Sequence, residues 1–190
     1  MTITPLFIFS QNTLTEFKSC GIGIIAMTNN QSLNDTLKLY SDSTCKVLIY
    51  NDIPSFNDTI LSPYYFKPDY GLVQFILQEK YPDCYKILYW DTLTAFCKKN
   101  KSVKFITWEE LLLNSTGFSL LDNKENSVRK EPNEKSVALN WNTKTFTEDN
   151  FKIVKVKGDW IFVINKMTNQ CGWVIWRKQN KLLIEIYLLD

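Results

Sequence analysis

The feature that most constrains the fold is the stretch VKVKGDWIFVINKMTNQCGWVIW, which occupies residues 154–176. A Gly-Asp pair separates its first two runs of β-branched and aromatic residues, and the polar segment NKMTNQ precedes the third. Runs of this kind favour strands, and a glycine beside a polar residue favours a tight hairpin turn. The stretch therefore predicts three consecutive strands joined by short turns.

The remainder of the chain shows the same pattern. Asp91 and Thr92 separate two β-type runs, and the turn-type residues 41–44 separate two others. Thr107 and Glu110 have the spacing of a capping box, which predicts a single helical turn beginning there. Aromatic residues make up 14% of the 190-residue chain, which also favours strands. The sequence thus predicts an all-β protein.

Two segments of the chain share an order of motifs. KLYSDSTCKV is followed by CYKILY and LTAFCKKN, and SVRKEPNEKSV is followed by DWIFVI and CGWVIW. This alignment places Tyr85 where Trp160 stands. It also places Phe96 where Trp173 stands. A repeated unit is stronger evidence about the architecture than the pattern of any single segment. The composition also changes at residues 114–117, which marks a boundary between the two units. We therefore expect three parts: an N-terminal segment (1–32), a first unit (33–116) and a second unit (117–190).

The second unit resembles the bacterial SH3-like domain family. That family has a first strand of the form x-V-R-x-x-P-x-x-x-S-x-V, followed by a V-x-G-D-W-x-x-V hairpin and a G-W-V strand. The match covers residues 126–176, whereas the first unit lacks the turn glycines and the paired tryptophans. The matching residues are Val128, Arg129, Pro132, Ser136, Val137, Val156, Gly158, Asp159, Trp160, Val163, Gly172, Trp173 and Val174.

The resemblance implies a fold of two small SH3-like β-barrels in tandem, with the N-terminal segment docking on the first. A barrel of five or six short strands has a thin core, which a few large aromatic side chains can fill. Trp160 and Trp173 therefore have two interpretations. They pack in the core or between the units, or they line a binding groove.

The loop SPYYFKPDYG, at residues 62–71, is the other candidate for recognition. It holds several aromatic side chains between prolines. Such a loop packs over an open barrel end or into the seam between the two units, or it contacts a peptide or glycan. The candidate ligand-binding residues are Tyr64, Tyr65, Phe66, Tyr70, Trp160, Trp173 and Trp176.

The composition argues against an enzyme. The chain has no histidine, so neither a Ser–His–Asp nor a Cys–His arrangement can be built. The carboxylate pairs at 109–110 and 148–149 are expected to be solvated charges, and no glycine-rich phosphate loop occurs. We expect no catalytic residue and no cofactor. A degenerate hydrolase, with the barrels as its targeting part, is the third alternative for function.

The cysteines do not predict a metal site. No two of them form a CxxC pair, so a structural zinc site is not expected. Buried apolar thiols are expected instead, and one disulfide stays an alternative if the protein is exported. The five cysteines are Cys20, Cys45, Cys84, Cys97 and Cys171.

Charge and hydropathy argue against three further classes. The formal net charge is +2, with acids and bases spread along the chain. Without a basic stripe in the sequence, neither nucleic-acid binding nor membrane-surface binding is expected. No apolar run approaches the roughly 20 residues of a transmembrane helix, so no integral membrane segment is expected.

The apolar run at residues 5–9 is either the remainder of an export signal or a β-strand. If a signal peptide was removed, the protein is periplasmic or extracytoplasmic; otherwise it is cytoplasmic. The resemblance implies a non-enzymatic binding protein of the bacterial cell envelope, which recognises a peptide or a cell-wall (peptidoglycan) ligand. The alternative is an intracellular inhibitor or immunity-type protein that blocks a partner enzyme.

Overall fold

The structure is a computed structural model, and it describes residues 19–28, 36–55, 57–121, 126–141 and 150–188. Strands dominate the described residues and helix is nearly absent, which confirms the all-β prediction. The apolar run near the N-terminus lies outside the described residues. No described helix is long and apolar enough to cross a membrane.

The first half of the chain forms one antiparallel sheet of eight strands in the order β3-β2-β7-β6-β5-β1-β8, with β4 pairing beside β5. Within the described residues the outer strands β3 and β8 do not pair with each other, so the sheet is open and no closed barrel is found. The strands are β1 (Gly23–Thr28), β2 (Leu37–Tyr40), β3 (Leu48–Asp52), β4 (Tyr65–Lys67), β5 (Leu72–Lys80), β6 (Cys84–Trp90), β7 (Leu93–Lys98) and β8 (Val103–Ile106).

The turns of this sheet lie where the sequence predicts them. β2 and β3 are joined through residues 41–47, and β6 and β7 are joined through Asp91 and Thr92. Asp91 has a positive φ of 35°. Aspartate tolerates such angles because its short polar side chain can hydrogen-bond locally. Both predicted hairpins are therefore confirmed.

Alternation along the strands divides the apolar residues between the two faces of the sheet. Ile25, Phe75 and Ile87 belong to a core on one face, built from residues of the first half. Ile24 and Ile76 alternate with them and lie on the other face, in a core that includes residues of the second half. The second half of the chain thus covers one side of the sheet.

A short helix, α1 (Trp108–Leu113), leads from the sheet into the second half. The hydroxyl oxygen of Thr107 accepts the backbone N–H of Glu110 at 3.1 Å, which confirms the predicted helical turn. The following strands are β9 (Gly117–Leu120), β10 (Phe151–Lys157), β11 (Trp160–Asn165), β12 (Cys171–Ile175), β13 (Arg177–Lys178), β14 (Lys181–Leu182) and β15 (Ile184–Tyr187).

The strands of the second half form three small antiparallel sheets. β10, β11 and β12 pair in that order, β13 pairs with β14, and β15 returns to pair with β9. Gly158 has a φ of 58° in the predicted turn between β10 and β11, a conformation that glycine adopts without steric cost. Isolated bridges join Arg129 to Trp173 of β12 and to Ala138.

Trp108 and Trp176 both belong to the core that the two halves share. Both are buried, and their ring centroids are 5.5 Å apart. Trp108 Nε1 donates to the carbonyl oxygen of Cys20 at 2.9 Å, and Trp176 Nε1 donates to that of Gly158 at 2.9 Å. Both indole N–H groups therefore have the partners that burial requires.

The two halves follow a common order of strand pairing. In the first, β2 lies beside β7, followed by β6 and β5; in the second, the Arg129 bridge lies beside β12, followed by β11 and β10. A register shift falls between Leu77 and Glu79 of β5, and another between Ile153 and Lys155 of β10. β8 pairs with β1, as β15 pairs with β9.

Candidate functional site

The outer face of the β10–β12 sheet combines aromatic and basic side chains. Directly paired residues of antiparallel strands project from the same face. Lys155 is paired with Phe162, which is paired with Trp173, and Trp173 is bridged to Arg129. We call this surface the aromatic–lysine face, and its members are Lys152, Lys155, Lys157, Trp160, Phe162, Trp173 and Arg129.

The aromatic part of the face arises from simple alternation along β11. In β11, Trp160 and Phe162 alternate with the fully buried Ile161 and Val163. Antiparallel sheets commonly bury one face and leave the other in contact with water. The buried residues anchor the sheet on the shared core, so the outward side chains are held on a fixed backbone.

The aromatic rings form an uneven apolar surface. Trp160, Phe162 and Trp173 are each half-buried. The ring centroids of Phe162 and Trp173 are 5.2 Å apart, with an angle of 55° between the ring planes. Rings tilted against each other expose edges and parts of their faces, not one flat platform. A ligand lying across them would still remove apolar area from water, which favours binding.

The lysines of the face carry charges that no described carboxylate neutralises. Lys152, Lys155 and Lys157 are exposed, and none makes an ion pair within the described ranges. Asp159, in the turn after β10, is held by Arg177, whose Nε lies 2.6 Å from Asp159 Oδ1. The face thus favours a ligand with negative groups as well as apolar area.

Arg129 ends the row on the side away from the lysines. Its Nη1 donates to the carbonyl oxygen of Ser136 at 2.7 Å, a bond within the turn that follows Arg129. A guanidinium has five N–H donors in one plane, so this bond uses only one of them. Arg129 is three strand spacings from Lys155, about 14 Å, and it adds positive charge at the other side of the rings.

The four predicted loop residues lie in different environments. Tyr64 packs edge-on against Trp108 with centroids 5.5 Å apart, and burial raises the pKa of its hydroxyl. Tyr65 and Phe66 are consecutive in β4 and so project to opposite sides. Tyr70 is 66% exposed. These side chains do not converge on one surface.

The three predicted tryptophans are also divided. Trp160 and Trp173 lie on the aromatic–lysine face. Trp176 is only 2% exposed and belongs to the core that the two halves share. It directly follows the end of β12, where the chain leaves the sheet and the alternation of the strand no longer applies.

Sequence reasoning did not identify Phe162 or the basic members of the face as candidates. The signal was present, because outward positions in FKIVKVK and WIFVIN hold mostly lysine or aromatic residues. The lysines do not read as a basic stripe because Ile153 and Val156 stand between them in the chain. The two-residue period of the strand, together with the register shift between Ile153 and Lys155, brings them to one face.

The described carboxylates and thiols have structural surroundings. Glu109 and Glu110 lie in the first turn of α1, and Glu110 pairs with Lys104 at 3.2 Å. Burial raises the pKa of Cys84 to about 11 and that of Cys97 to about 12, so both thiols are protonated at neutral pH. The second predicted carboxylate pair, at 148–149, lies outside the described residues.

The cysteines are free thiols, and only Cys171 is exposed among them. Within the described segments, no three or more potential metal ligands come together.

Comparison with known proteins gives no relative: no protein-family model, no curated protein and no solved structure matches the chain.

Proposed function

We propose that the chain is a non-enzymatic binding protein of the bacterial cell envelope, which holds a peptide or a peptidoglycan ligand on the aromatic–lysine face. The observation that carries this proposal is the row of half-buried rings beside lysines that have no acidic partner in the part of the chain that the structure describes. Apolar side chains anchored on a rigid sheet contribute most of the affinity in many binding surfaces, and charges at the rim set orientation.

The pairing pattern supports the proposal that the chain contains two SH3-like units in tandem. The common strand order and the two matching register shifts are expected if one unit was duplicated. The segments that carry the resemblance are also neighbours, because Arg129 is bridged to Trp173 and Trp160 lies opposite Ile175. Location in the periplasm, or outside the cytoplasmic membrane, belongs to the same proposal.

Co-sedimentation with purified peptidoglycan and binding to an array of short peptides test the proposal. We expect Trp160→Ala and Trp173→Ala to weaken binding by about tenfold or more, since central aromatic residues dominate such surfaces. Trp90→Ala is the matched control, because Trp90 is 41% exposed in the first half and should leave binding unchanged. Circular dichroism checks that each variant is folded. If the unaltered protein binds neither material, the proposed function is wrong.

A second candidate function is an inhibitor or immunity-type protein, and the edge of the first sheet favours it. Val47, Leu48 and Ile49 are consecutive and are 57%, 45% and 43% exposed. Among the described strands, β3 pairs only with β2. Exposed apolar residues on an edge strand favour a protein partner. Cell fractionation separates the candidates, because export supports the envelope protein and retention in the cytoplasm supports the inhibitor.

A further inference from the structure

We infer that the ligand of the aromatic–lysine face is an acidic segment of polypeptide, bound in an extended conformation, with carboxylates at alternate positions. This inference rests on the proposed binding function and specifies the chemistry of its ligand. It depends on the spacing of the lysines, on their lack of acidic partners among the described residues and on the tilt of the rings beside them.

The three lysines form a regular row along β10. Lys152, Lys155 and Lys157 are paired with Ile164, Phe162 and Trp160, which are alternate residues of β11. Alternate residues of a strand are about 7 Å apart. The lysine side chains therefore leave the sheet at intervals of about 7 Å.

The register shift in β10 is what produces this row. Lys152 and Lys155 are three residues apart, so in a regular strand they would project from opposite faces. The shift between Ile153 and Lys155 places Val154 as an extra residue, and both lysines then project from the outer face. Lys157 lies two residues after Lys155 and therefore projects from the same face.

An extended acidic peptide matches this row in spacing and sign. Its alternate side chains project to one side at the same interval of about 7 Å. Carboxylates at those positions can each meet one lysine, and charge-assisted hydrogen bonds of this kind are the stronger ones. The adjacent rings of Trp160 and Phe162 can pack against the peptide backbone and its methylene groups.

A single-stranded nucleic acid is the competing polyanion, and the ring geometry disfavours it. Bases bind by stacking on open aromatic faces. Phe162 and Trp173 instead tilt against each other at 55°, and each is half-buried. The row of charges suits either polymer, but the apolar part of the face suits a chain without flat bases.

Fluorescence anisotropy with labelled peptides tests the inference. The probes are acetyl-(Glu-Ser)4-amide, the permuted acetyl-(Glu-Glu-Ser-Ser)2-amide with the same composition, acetyl-(Lys-Ser)4-amide and an oligothymidylate. We expect the alternating acidic peptide to bind about tenfold more tightly than the permuted one, because only its carboxylates keep the lysine interval. We expect this binding to weaken as salt rises.

Variants assign the binding to the row. Lys155→Gln should weaken binding of the alternating peptide by about fivefold to tenfold. Lys135→Gln is the control, because Lys135 is an exposed lysine of the second half outside the face and should leave binding unchanged.

Three outcomes overturn the inference. They are equal binding of the two acidic peptides, tighter binding of the oligothymidylate, and an equal effect of the two lysine variants. If peptidoglycan binds and Trp173→Ala abolishes that binding, while no acidic peptide binds, the inference is wrong and the proposed function stands. Failure of both peptidoglycan and all peptides to bind removes the proposed function itself.

Discussion

The two halves of the molecule place different side chains at equivalent positions of one strand arrangement. The second half has the row Lys155–Phe162–Trp173–Arg129 across its strands. The equivalent row of the first half, defined by pairing and by the register shift, is Glu79–Lys86–Phe96–Tyr40. An acidic residue thus stands where the second half has Lys155.

The first half neutralises and covers its own row. Lys86 Nζ lies 2.7 Å from Glu79 Oε1, and the ring of Tyr81 packs edge-on against Phe96 with centroids 5.5 Å apart. Cys45 and Cys84 add a small buried cluster there. Among its described residues, the second half has neither an ion pair at Lys152, Lys155 or Lys157 nor such a cluster of buried thiols. The difference shows that strand order does not dictate whether a sheet exposes aromatic and basic side chains together, which depends on the residues at a few outward positions.

The largest expected effect tests whether the halves behave as one body. Trp176→Ala removes a buried indole from the shared core, and we expect the free energy of unfolding to fall by about 3–5 kcal/mol. Because Trp176 packs against Trp108, hydrogen exchange should quicken in β1 and β5 as well as in β10–β12. Urea denaturation and hydrogen-exchange mass spectrometry measure these effects.

Two further variants control that measurement. Trp90→Ala makes the same change at a half-exposed position at the end of β6 and should cost less than about 1 kcal/mol. Trp176→Phe retains a ring and provides a folded variant if Trp176→Ala does not fold. Unchanged exchange in β1 and β5 for both Trp176 variants would show that the halves unfold independently.

The next effect compares one inner position of the two halves. Gly172 occupies the place that Ala95 occupies in the first half, and a Cβ on Gly172 would come within 2.5 Å of Val128 Cγ1 and 3.1 Å of the Arg129 carbonyl oxygen. We expect Gly172→Ala to lower the free energy of unfolding by about 1–3 kcal/mol through overpacking. Chemical denaturation of the variant measures this cost.

A double-mutant cycle identifies the cause of that cost. Val128→Ala removes the methyl group nearest to the new Cβ, so Gly172→Ala should cost less in the Val128→Ala background than in the original chain. If Gly172→Ala lowers the free energy of unfolding equally in the two backgrounds, the strain does not come from its contact with Val128. If Gly172→Ala leaves the free energy of unfolding unchanged, the two halves tolerate the same side chain at this inner position.

The sequence predictions that the structure confirms were based on short segments of the chain. The strand runs, the turn at Gly158 and the helical turn at Thr107 depend on residues close in the chain. The alignment of Phe96 with Trp173 agrees with the pairing, but Cys84 and not Tyr85 lies at the place of Trp160. A one-residue slip in a strand exchanges its faces, and few matching residues were available to fix the register.

The sequence patterns could not predict contacts between residues that are far apart in the chain. Whether β3 meets β8 depends on the curvature of a sheet whose strands are far apart in the chain, and no short motif encodes that curvature. The burial of Trp176 depends on its contact with Trp108, 68 positions earlier in the numbering. The lysine row required knowledge of the register shift in β10, because Lys152 and Lys155 are out of phase in a regular strand.

The smallest expected effect concerns the ion pair that neutralises the first-half row. Hydrogen bonds from Lys86 and Tyr81 lower the pKa of the Glu79 carboxyl below its ordinary value. A lowered pKa in the folded state means that the pair stabilises the fold at neutral pH and loses this effect as pH falls through the folded-state pKa. Because the pair is exposed to solvent, the change in stability should be small.

Carbon-detected NMR titration of Glu79 measures this pKa directly. Lys86→Gln removes the first cause of the shift, so the Glu79 pKa should move up towards its ordinary value. Lys104→Gln removes a different surface ion pair, the one with Glu110, and should leave the Glu79 pKa where it is. If Lys86→Gln also leaves it unchanged, the first half does not neutralise its own row. The contrast with the aromatic–lysine face would then rest on the covering rings and buried thiols alone.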